Sequence, residues 1–534
     1  MRDSNKFRRA ALALSLPLAM ALPLAGQAAE ATQAEADRIR TALEDYVGHP
    51  APGAPRVLEV RPKGEAYEVD LDLDALLAPL TASAGLPLKT GHVVGSLAPQ
   101  ADGTWRHTLN AFPGFQFEMG SDKTEAHYEG LQGEGIYDPA RMYFSSTTFR
   151  AARLIAKSVH TGDDKGPEIT ATISQDGLEF TGAAKPAASG AGVDVTASQK
   201  VSKFTESVET GASPSVPAMT LTLAARDYVV DARLDGVRNA EVLELWKWVV
   251  AHKSDGPKGD PAGFKQRVLA LGPVLDRFDI KGNLADLGVE TPFGIGGAKQ
   301  ITYTMNGTGL GPDGRFGFAF TIADFKLFSM LLPGWTGKVV PTDITLNGTA
   351  SGWSLGAALA LFLEIHDPAA PHAPTPEETA RLQAAVLPKG TVSFDLNGSR
   401  IRNALWDVTL DGHIDVVNDK PKGELTIRAT GLDELSRALA EPRDPNAQKL
   451  ATSLSMAAAM AARDGAAHVW RLTFDGDAIG LNGMPLSSPK AAAPPAPAEP
   501  ADEAPPPAPK GKSGTGEPKT KEKGGGSKKL QQNL

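Results

Sequence analysis

The chain has 534 residues, a net charge of −9 and no cysteine. Its length exceeds what one compact core usually supports, so we expect two domains or one elongated body. The acidic balance without a basic run argues against binding to nucleic acid, and the lack of cysteine excludes disulfides and thiol chemistry.

The first 28 residues have the three-part pattern of a secretory signal. A basic start, MRDSNKFRR, precedes an apolar run that is short for a bilayer. Gly26 and Ala28 then place small residues where a signal peptidase cleaves. We therefore predict export to a bacterial periplasm with cleavage after Ala28; an uncleaved anchor helix is the alternative.

The mature chain begins with a predicted helix and two predicted strands. In EADRIRTALEDYVG, Ile39 and Leu43 share one helical face, and Gly48 with Pro50 ends the helix. The strands VLEVRP and GEAYEVDLDLD follow, and the second is predicted to pass into a short helix.

Three aspartates at a spacing of two, Asp70, Asp72 and Asp74, lie in the second of these strands. The spacing places them on one face, opposite Val69 and Leu71, as the solvated side of a strand. Paired carboxylates for acid–base catalysis are the alternative. A calcium loop is disfavoured because Ala75 stands where such a loop needs glycine.

Short alternating segments with frequent turn residues predict an antiparallel meander through most of the chain. Asn-Gly or Asp-Gly pairs follow such segments, and these pairs favour two-residue hairpin turns. We therefore predict turns beginning at Asp176, Asn306, Asn347, Asn397, Asp411, Asp475 and Asn482.

A looser repeat is superimposed on these hairpin signals. Four times, a strand-like segment leads through a Leu-Asp or Asp-Phe step into an apolar, helix-like segment, beginning near Val69, Ala232, Phe320 and Leu425. The spacing is irregular, which favours a long sheet with helices on one face over a solenoid.

A glycine- and proline-rich segment and a proline- and alanine-rich segment interrupt the chain. KSDGPKGDPAG, residues 253–263, predicts a boundary between an N-terminal β-rich half, 29–252, and a C-terminal β-rich half, 264–487. The second segment, around His366, Asp367 and His372, could hold a metal, but no fourth ligand is near, so a solvated loop is favoured.

Two further segments have clear local signals. Thr375, Pro376 and Glu378 predict a helix start with a capping box. Residues 488–534 are rich in Pro and Ala and then in Lys and Gly, without apolar periodicity, so we predict a disordered tail.

Trp248 is the one residue predicted to contact a ligand or partner. In the predicted helix NAEVLELWKWVVAH, helical periodicity directs Trp246 to the core and places Trp248 close to Glu241 on the polar side. Another part of the same chain that covers Trp248 is one explanation. A docking surface for a lipid, membrane or partner protein is the other.

Two motifs for catalysis and nucleotide binding are missing from the sequence. It contains neither a zinc-protease helix nor a P-loop. We predict no catalytic, cofactor-binding or metal-binding residue. After the signal, the longest apolar run, WSLGAALALFLEI, is too short to span a bilayer.

Together these patterns predict an α+β, β-rich fold. We expect long antiparallel meander sheets with short helices packed on one face, an elongated body and a disordered C-terminal tail. The GELTIRATGLDEL unit and the terminal LTFDGDAIGLNGMPL resemble a family of bacterial periplasmic proteins built on a domain of unknown function, and more distantly AsmA-like and YdgA-like envelope proteins. That resemblance implies envelope maintenance and lipid handling, and it supplies no catalytic residues.

Three functions are compatible with these features. A non-catalytic periplasmic protein that binds a lipid or another hydrophobic envelope component is favoured, because the sequence lacks a zinc-protease helix and a P-loop. A hydrolase whose site is assembled from distant residues and an envelope scaffold are the alternatives. A long apolar surface would favour the first function, and a polar cleft with histidine and carboxylates would favour the hydrolase.

Overall fold

A computed structural model of the chain describes residues 30–487 apart from 51–52, 54–55, 85–87, 162–166, 213–216, 253–254, 310, 312 and 367–371. Within the described residues, 23 strands belong to one antiparallel sheet. The predicted β-rich, antiparallel architecture is therefore confirmed. The predicted signal with its cleavage site at Ala28 and the predicted tail at 488–534 lie outside the described residues.

The strands before the centre of the sheet are short, and those at its centre are long. The first eight are β1 Leu58–Lys63, β2 Ala66–Asp72, β3 Leu88–Lys89, β4 His92–Pro99, β5 Trp105–Ala111, β6 Phe115–Met119, β7 Asp122–Glu129 and β8 Gln132–Asp138. The seven long strands are β9 Tyr143–His160, β10 Ile169–Pro186, β11 Val193–Thr210, β12 Met219–Val237, β13 Arg277–Thr291, β14 Gly294–Thr308 and β15 Gly314–Ser329.

The last eight strands shorten again towards the end of the described chain. They are β16 Asp343–Trp353, β17 Thr391–Arg402, β18 Asp407–Val417, β19 Lys420–Thr430, β20 Ala462–Asp464, β21 Ala467–Asp475, β22 Ala478–Leu481 and β23 Met484–Ser487.

Eight α-helices interrupt the strands in the described part of the chain. They are α1 Gln33–Val47, α2 Leu73–Ala84, α3 Asn239–Ala251, α4 Pro261–Ala270, α5 Leu355–Ile365, α6 Pro376–Val386, α7 Leu432–Ala440 and α8 Pro445–Ala459. The predicted capping box at the start of α6 is confirmed: Thr375 and Glu378 each bond the other's backbone N–H. A short 3₁₀ helix, Gly334–Lys338, lies between β15 and β16.

Neighbouring strands in sequence are mostly neighbours in the sheet. From β9 to β19 each strand pairs with the next, and β21, β22 and β23 continue the order. Two branches meet at β9, because β8 pairs with its first part and β7 with its last part. One branch runs through β5, β4 and β2 to β1, and the other through β6 to β3.

The segment predicted as a domain boundary lies between two paired strands. The chain leaves β12, forms α3 and α4, and returns as β13, which pairs with β12 from Thr222 opposite Glu290 to Asp235 opposite Arg277. The two predicted halves therefore contribute adjacent strands to one sheet. Their division into separate domains stays a prediction.

Five of the seven predicted hairpin turns are wrong. The pairs that begin at Asp176, Asn306, Asn347, Asn397 and Asp411 all lie within strands, namely β10, β14, β16, β17 and β18. Those at Asp475 and Asn482 do precede the tight connections β21–β22 and β22–β23. The glycines inside strands serve other needs: Gly398 has a positive φ at an irregularity of β17, and Gly348 makes room for an aromatic ring.

The predicted step from strand to helix is found at three of its four positions. β2 leads into α2, β12 into α3 and β19 into α7. At the fourth position the prediction is wrong, because the segment that begins at Phe320 continues as strand β15 to Ser329. Pairing with β14 along this whole segment explains why its apolar residues extend the strand.

The largest buried cluster lies under α1. This helix begins at Gln33, two residues before the predicted segment, with Thr32 as its N-cap, and it ends as predicted at Gly48, whose φ is 99°. It buries Ile39 and Leu43 against the strands. The cluster comprises Ala36, Ile39, Leu43, Tyr46, Leu58, Val60, Tyr67, Val69, Leu71, Trp105 and Tyr137. A second cluster joins α7 and α8 around Leu435, Leu439, Ala447 and Ala451.

Candidate functional site

One row of directly opposed residues crosses the sheet from β2 to β22. Opposed residues in antiparallel strands project from the same face, so the row identifies a single face of the sheet. Its members are Tyr67, Leu97, His107, Gly135, Thr147, Gly182, Ala197, Ala232, Ile280, Met305, Phe318, Gly348, Leu396, Gly412, Leu425, Leu472 and Leu481.

The parallel rows on either side of this one are also apolar. Phe180 and Val230 lie in one of them, and Phe278 and Phe316 lie in another. We call this side of the sheet, from β9 to β19, the apolar face; its large side chains are Phe149, Leu178, Phe180, Val230, Leu234, Phe278, Ile280, Ile301, Tyr303, Met305, Phe316, Phe318, Phe320, Ile322, Ile344, Leu346, Phe394, Leu396, Ile414, Leu425 and Ile427.

Contacts between aromatic rings and glycines support this assignment of faces. A methyl group at Gly282 would come within 2.1 Å of the Tyr303 ring, and one at Gly348 within 2.5 Å of the Phe318 ring. The rings therefore lie flat over glycines of neighbouring strands on the same side. Apolar area is presented in this way without bulky side chains on every strand.

The apolar face is partly open to solvent. Phe316, Phe318, Leu346 and Phe394 are each more than a third exposed. By contrast, two residues on the same side of β2 are buried beneath α1. Tyr67 belongs to the row, and Val69 lies two residues further along the strand. A contiguous, exposed apolar surface of this kind commonly marks a binding surface.

The opposite face is polar. In the central strands it carries Thr302 opposite Thr321 and Asp279 opposite Arg233. A cavity of about 660 Å³ opens on this side of β10 to β13. Its charged lining residues balance, with Asp231, Asp235 and Asp279 facing Arg233, Arg277 and Lys281. Arg233 pairs with Asp235 and Lys281 with Asp279, so four of these six charges are paired with each other.

A group that resembles catalytic machinery lies on the polar face of β17 and β18. His413 bonds Asp395 at 2.7 Å through Nδ1 and Asp415 at 3.2 Å through Nε2. The hydrogen bond to Asp395 raises the pKa of His413 above its usual value. Ser393 donates to Asp415 at 2.6 Å and not to the imidazole. Both imidazole nitrogens thus contact carboxylates, an arrangement that leaves the serine without a base.

The prediction that three aspartates share one face of a strand is wrong for Asp74, because β2 ends at Asp72 and Asp74 lies in α2. Each of the three aspartates has a separate structural partner. Asp70 bonds His92 at 2.8 Å, and Asp72 accepts the backbone N–H of Ala75 at the start of α2. Asp74 accepts from the backbone of Thr90, which lowers the pKa of its carboxyl. The hydrogen bond that Asp70 accepts from the imidazole raises the pKa of His92. Within the described residues, no group of three or more histidine, cysteine, aspartate or glutamate side chains is placed so that it could hold a metal ion.

Trp248 is buried, with only 5 % of its surface exposed. Its indole stacks on His252 at 4.3 Å between ring centroids and contacts Phe264 of α4 at 5.4 Å. The indole N–H donates to Asp260 at 3.2 Å. Trp248 therefore has its cover within the chain, as the first of the two explanations expects, and a docking role for it stays a prediction.

The prediction that Trp246 faces the core is wrong. Trp246 is 41 % exposed, and its indole N–H donates to the backbone carbonyl of Tyr46 at the end of α1. With Val242 and Val249 it forms an exposed apolar stripe on α3. The periodicity of the helix was identified, but α4 packs against the side that carries Trp248.

The residues of the apolar face were not singled out from the sequence. Their signal was present as alternation in every strand, but alternation does not show whether another layer covers the apolar side. No family model, curated protein or solved structure matches the chain. Among the described residues, none of the helices is both long enough and apolar enough to cross a membrane.

Proposed function

We propose that the chain is an exported, non-catalytic protein of a bacterial envelope that binds a lipid or another hydrophobic envelope component on its apolar face. The observation that carries this proposal is the partial exposure of Phe316, Phe318, Leu346 and Phe394 within one continuous apolar surface. Covering such side chains with a lipid acyl chain is favourable by about 25 cal/mol per Å² of apolar area removed from water.

The proposed arrangement of helices fits this function. We propose that the helices lie over one face, covering the apolar side near its two ends and leaving the central strands open. Two contacts support it: α1 packs on Tyr67 and Val69 of β2, and Trp470 of β21 donates its indole N–H to Ala457 of α8 at 3.0 Å. The strands between these ends would then receive the ligand.

Export rests on the N-terminal sequence. The basic start, the apolar run and the small residues Gly26 and Ala28 support export to the periplasm, where a lipid that moves between membranes needs an apolar carrier surface. The resemblance to AsmA-like envelope proteins favours the same role.

Lipid analysis of the purified protein tests the proposal. The protein is isolated from its own periplasm, extracted with organic solvent, and the extract is analysed by mass spectrometry. We expect a stoichiometric lipid from the natural chain and from Thr321→Gln, which changes the polar face of β15. We expect loss of that lipid from Phe318→Gln, three residues away on the apolar face.

The outcomes separate the candidate functions. An equal lipid content in Phe318→Gln and Thr321→Gln would contradict binding on the apolar face. Recovery of a stoichiometric protein partner in place of a lipid would favour the envelope scaffold.

A further inference from the structure

The most exposed apolar side chains of the long strands lie at one end of β14 and β15. Met330 is 75 % exposed, Leu331 70 %, Phe328 65 % and Ile295 58 %. Phe293 in the turn between β13 and β14 and Leu332 are also exposed. We call these six residues the apolar tip.

The apolar tip and the adjoining Leu327, which is 47 % exposed, present apolar side chains on both faces of the sheet. Leu327 lies opposite Gly296, and the next residue, Phe328, lies opposite Ile295. Consecutive strand residues project to opposite faces. Further along the same two strands, one face is polar, with Thr302 opposite Thr321. The loss of this polarity is therefore confined to the end of the strands.

The backbone of the apolar tip is ordered by hydrogen bonds. The N–H of Met330 donates to the carbonyl of Phe293 at 3.0 Å, and the Ser329 hydroxyl donates to the same carbonyl at 2.9 Å. The N–H of Leu331 donates to the Ser329 hydroxyl at 3.2 Å. The exposed side chains are thus displayed from a fixed turn, so little conformational entropy is lost when they become covered.

The charges close to the apolar tip nearly cancel. Residues 291–299 and 325–340 contain Lys299, Lys326 and Lys338 and no acidic residue. Lys326 pairs with Asp324 at 3.1 Å, and Lys338 pairs with Glu441 at 3.9 Å. In a chain whose net charge is −9, this local balance lets the apolar tip approach the anionic headgroups of phospholipids without strong repulsion.

We propose that the apolar tip inserts into the surface of a lipid bilayer that contains anionic phospholipid. A bilayer surrounds an inserted segment, and it can therefore cover both faces and the turn together. A second copy of the chain or a flat protein surface would cover only one face. This membrane contact is separate from lipid binding on the apolar face. The two proposals involve different residues, and the tip contacts a bilayer, whereas the apolar face binds a single hydrophobic ligand.

Vesicle binding tests the proposal. The mature protein is mixed with vesicles of phosphatidylethanolamine and phosphatidylglycerol, and bound protein is measured by sedimentation. We expect the natural chain to bind and the triple variant Phe328→Ser, Met330→Ser, Leu331→Ser to lose at least about tenfold in affinity. These side chains are already exposed, so the thermal unfolding temperature should change little.

A matched control replaces apolar residues of similar exposure elsewhere. Met484 and Leu486 on β23 are each 58 % exposed, and Met484→Ser with Leu486→Ser should leave vesicle binding unchanged. Because the chain has no cysteine, a single Leu331→Cys can carry an environment-sensitive fluorophore. Its emission should shift to shorter wavelength with vesicles, whereas the same label at Met484→Cys should not respond.

Three results would overturn the proposal. They are no vesicle binding by the natural chain, equal binding by the triple variant, or a dimer that dissociates in the triple variant without any change in vesicle binding. None of these results bears on the lipid content of Phe318→Gln, so the two proposals fail separately.

Discussion

The ring of Phe318 on β15 lies over Gly348 on β16, so close that a methyl group at Gly348 would come within 2.5 Å of the ring atom Cε1. Either the ring or the strand must move to admit that group. We expect Gly348→Ala to lower the free energy of unfolding by about 1–3 kcal/mol, the usual range for overpacking. Urea denaturation of the purified variant measures this change.

Gly296→Ala is the matched control for this prediction. Gly296 is also a strand glycine, and it lies opposite Leu327. A methyl group there would meet the Lys326 carbonyl at 3.4 Å and Leu327 at 3.5 Å, which are ordinary contacts. We expect its stability to change by less than about 1 kcal/mol. An equal loss in both variants would show that the Phe318 contact is not the cause.

The same contact explains which part of the fold the sequence could not predict. Alternation correctly indicated strands around Asn347 and Asn397, and the antiparallel meander followed from them. The glycines after these asparagines were assigned to hairpin turns because Asn-Gly tolerates a positive φ. Gly348 instead lies within β16 because a ring from β15 needs the space, and that neighbour is set by the tertiary fold.

A second prediction compares the two tryptophans of α3. Trp248 is enclosed by His252, Phe264 and Asp260, so Trp248→Ala should lower the free energy of unfolding by about 3–5 kcal/mol, as for other large buried aromatics. Trp246→Ala should cost clearly less because that side chain is 41 % exposed. Chemical denaturation of both variants provides the comparison, and an equal cost would contradict the assigned packing of α3 against α4.

The two tryptophans also show what helical periodicity can and cannot predict. The sequence located the helix correctly and placed Trp246 and Trp248 on different sides. It could not identify which side α4 would cover, because α4 is joined to α3 through a loop whose path the periodicity does not encode. The apolar face was missed for the same reason: exposure depends on which layer covers a strand.

A third prediction concerns pH. Burial lowers the pKa of His107 from 6.5 to about 4, and the ring packs on Phe144 at 4.8 Å between centroids. As pH falls below 6.5, the unfolded chain binds a proton that the folded chain excludes until about pH 4. Stability from this group is therefore complete above pH 6.5 and is lost as pH falls towards 4, by at most about 3 kcal/mol.

His107→Phe is the variant that tests this assignment. Phenylalanine keeps the aromatic contact with Phe144 and does not titrate in this range. The pH dependence of the unfolding free energy between pH 6.5 and 4 should become shallower in the variant. An unchanged slope would assign the acid sensitivity to other groups.

A fourth prediction concerns export and cleavage of the signal. The protein recovered from the periplasmic fraction should begin at Ala29, because cleavage is expected after Ala28. Amino-terminal sequencing or intact-mass analysis measures this. Replacing Ala28 with a bulky residue, as in Ala28→Trp, should impair processing. Intact Met1 on the periplasmic protein would contradict the predicted cleavage.

Site-specific photocrosslinking most directly tests the claim that the apolar face binds lipid. The chain has no cysteine, so Phe318→Cys and Thr321→Cys can each carry one benzophenone group, on the apolar and polar faces of the same strand. After irradiation in intact cells of the organism that makes the protein, mass spectrometry identifies what is attached. We expect a lipid adduct at position 318 and none at position 321. Lipid adducts at both positions in equal yield, or at neither, would contradict the proposed function.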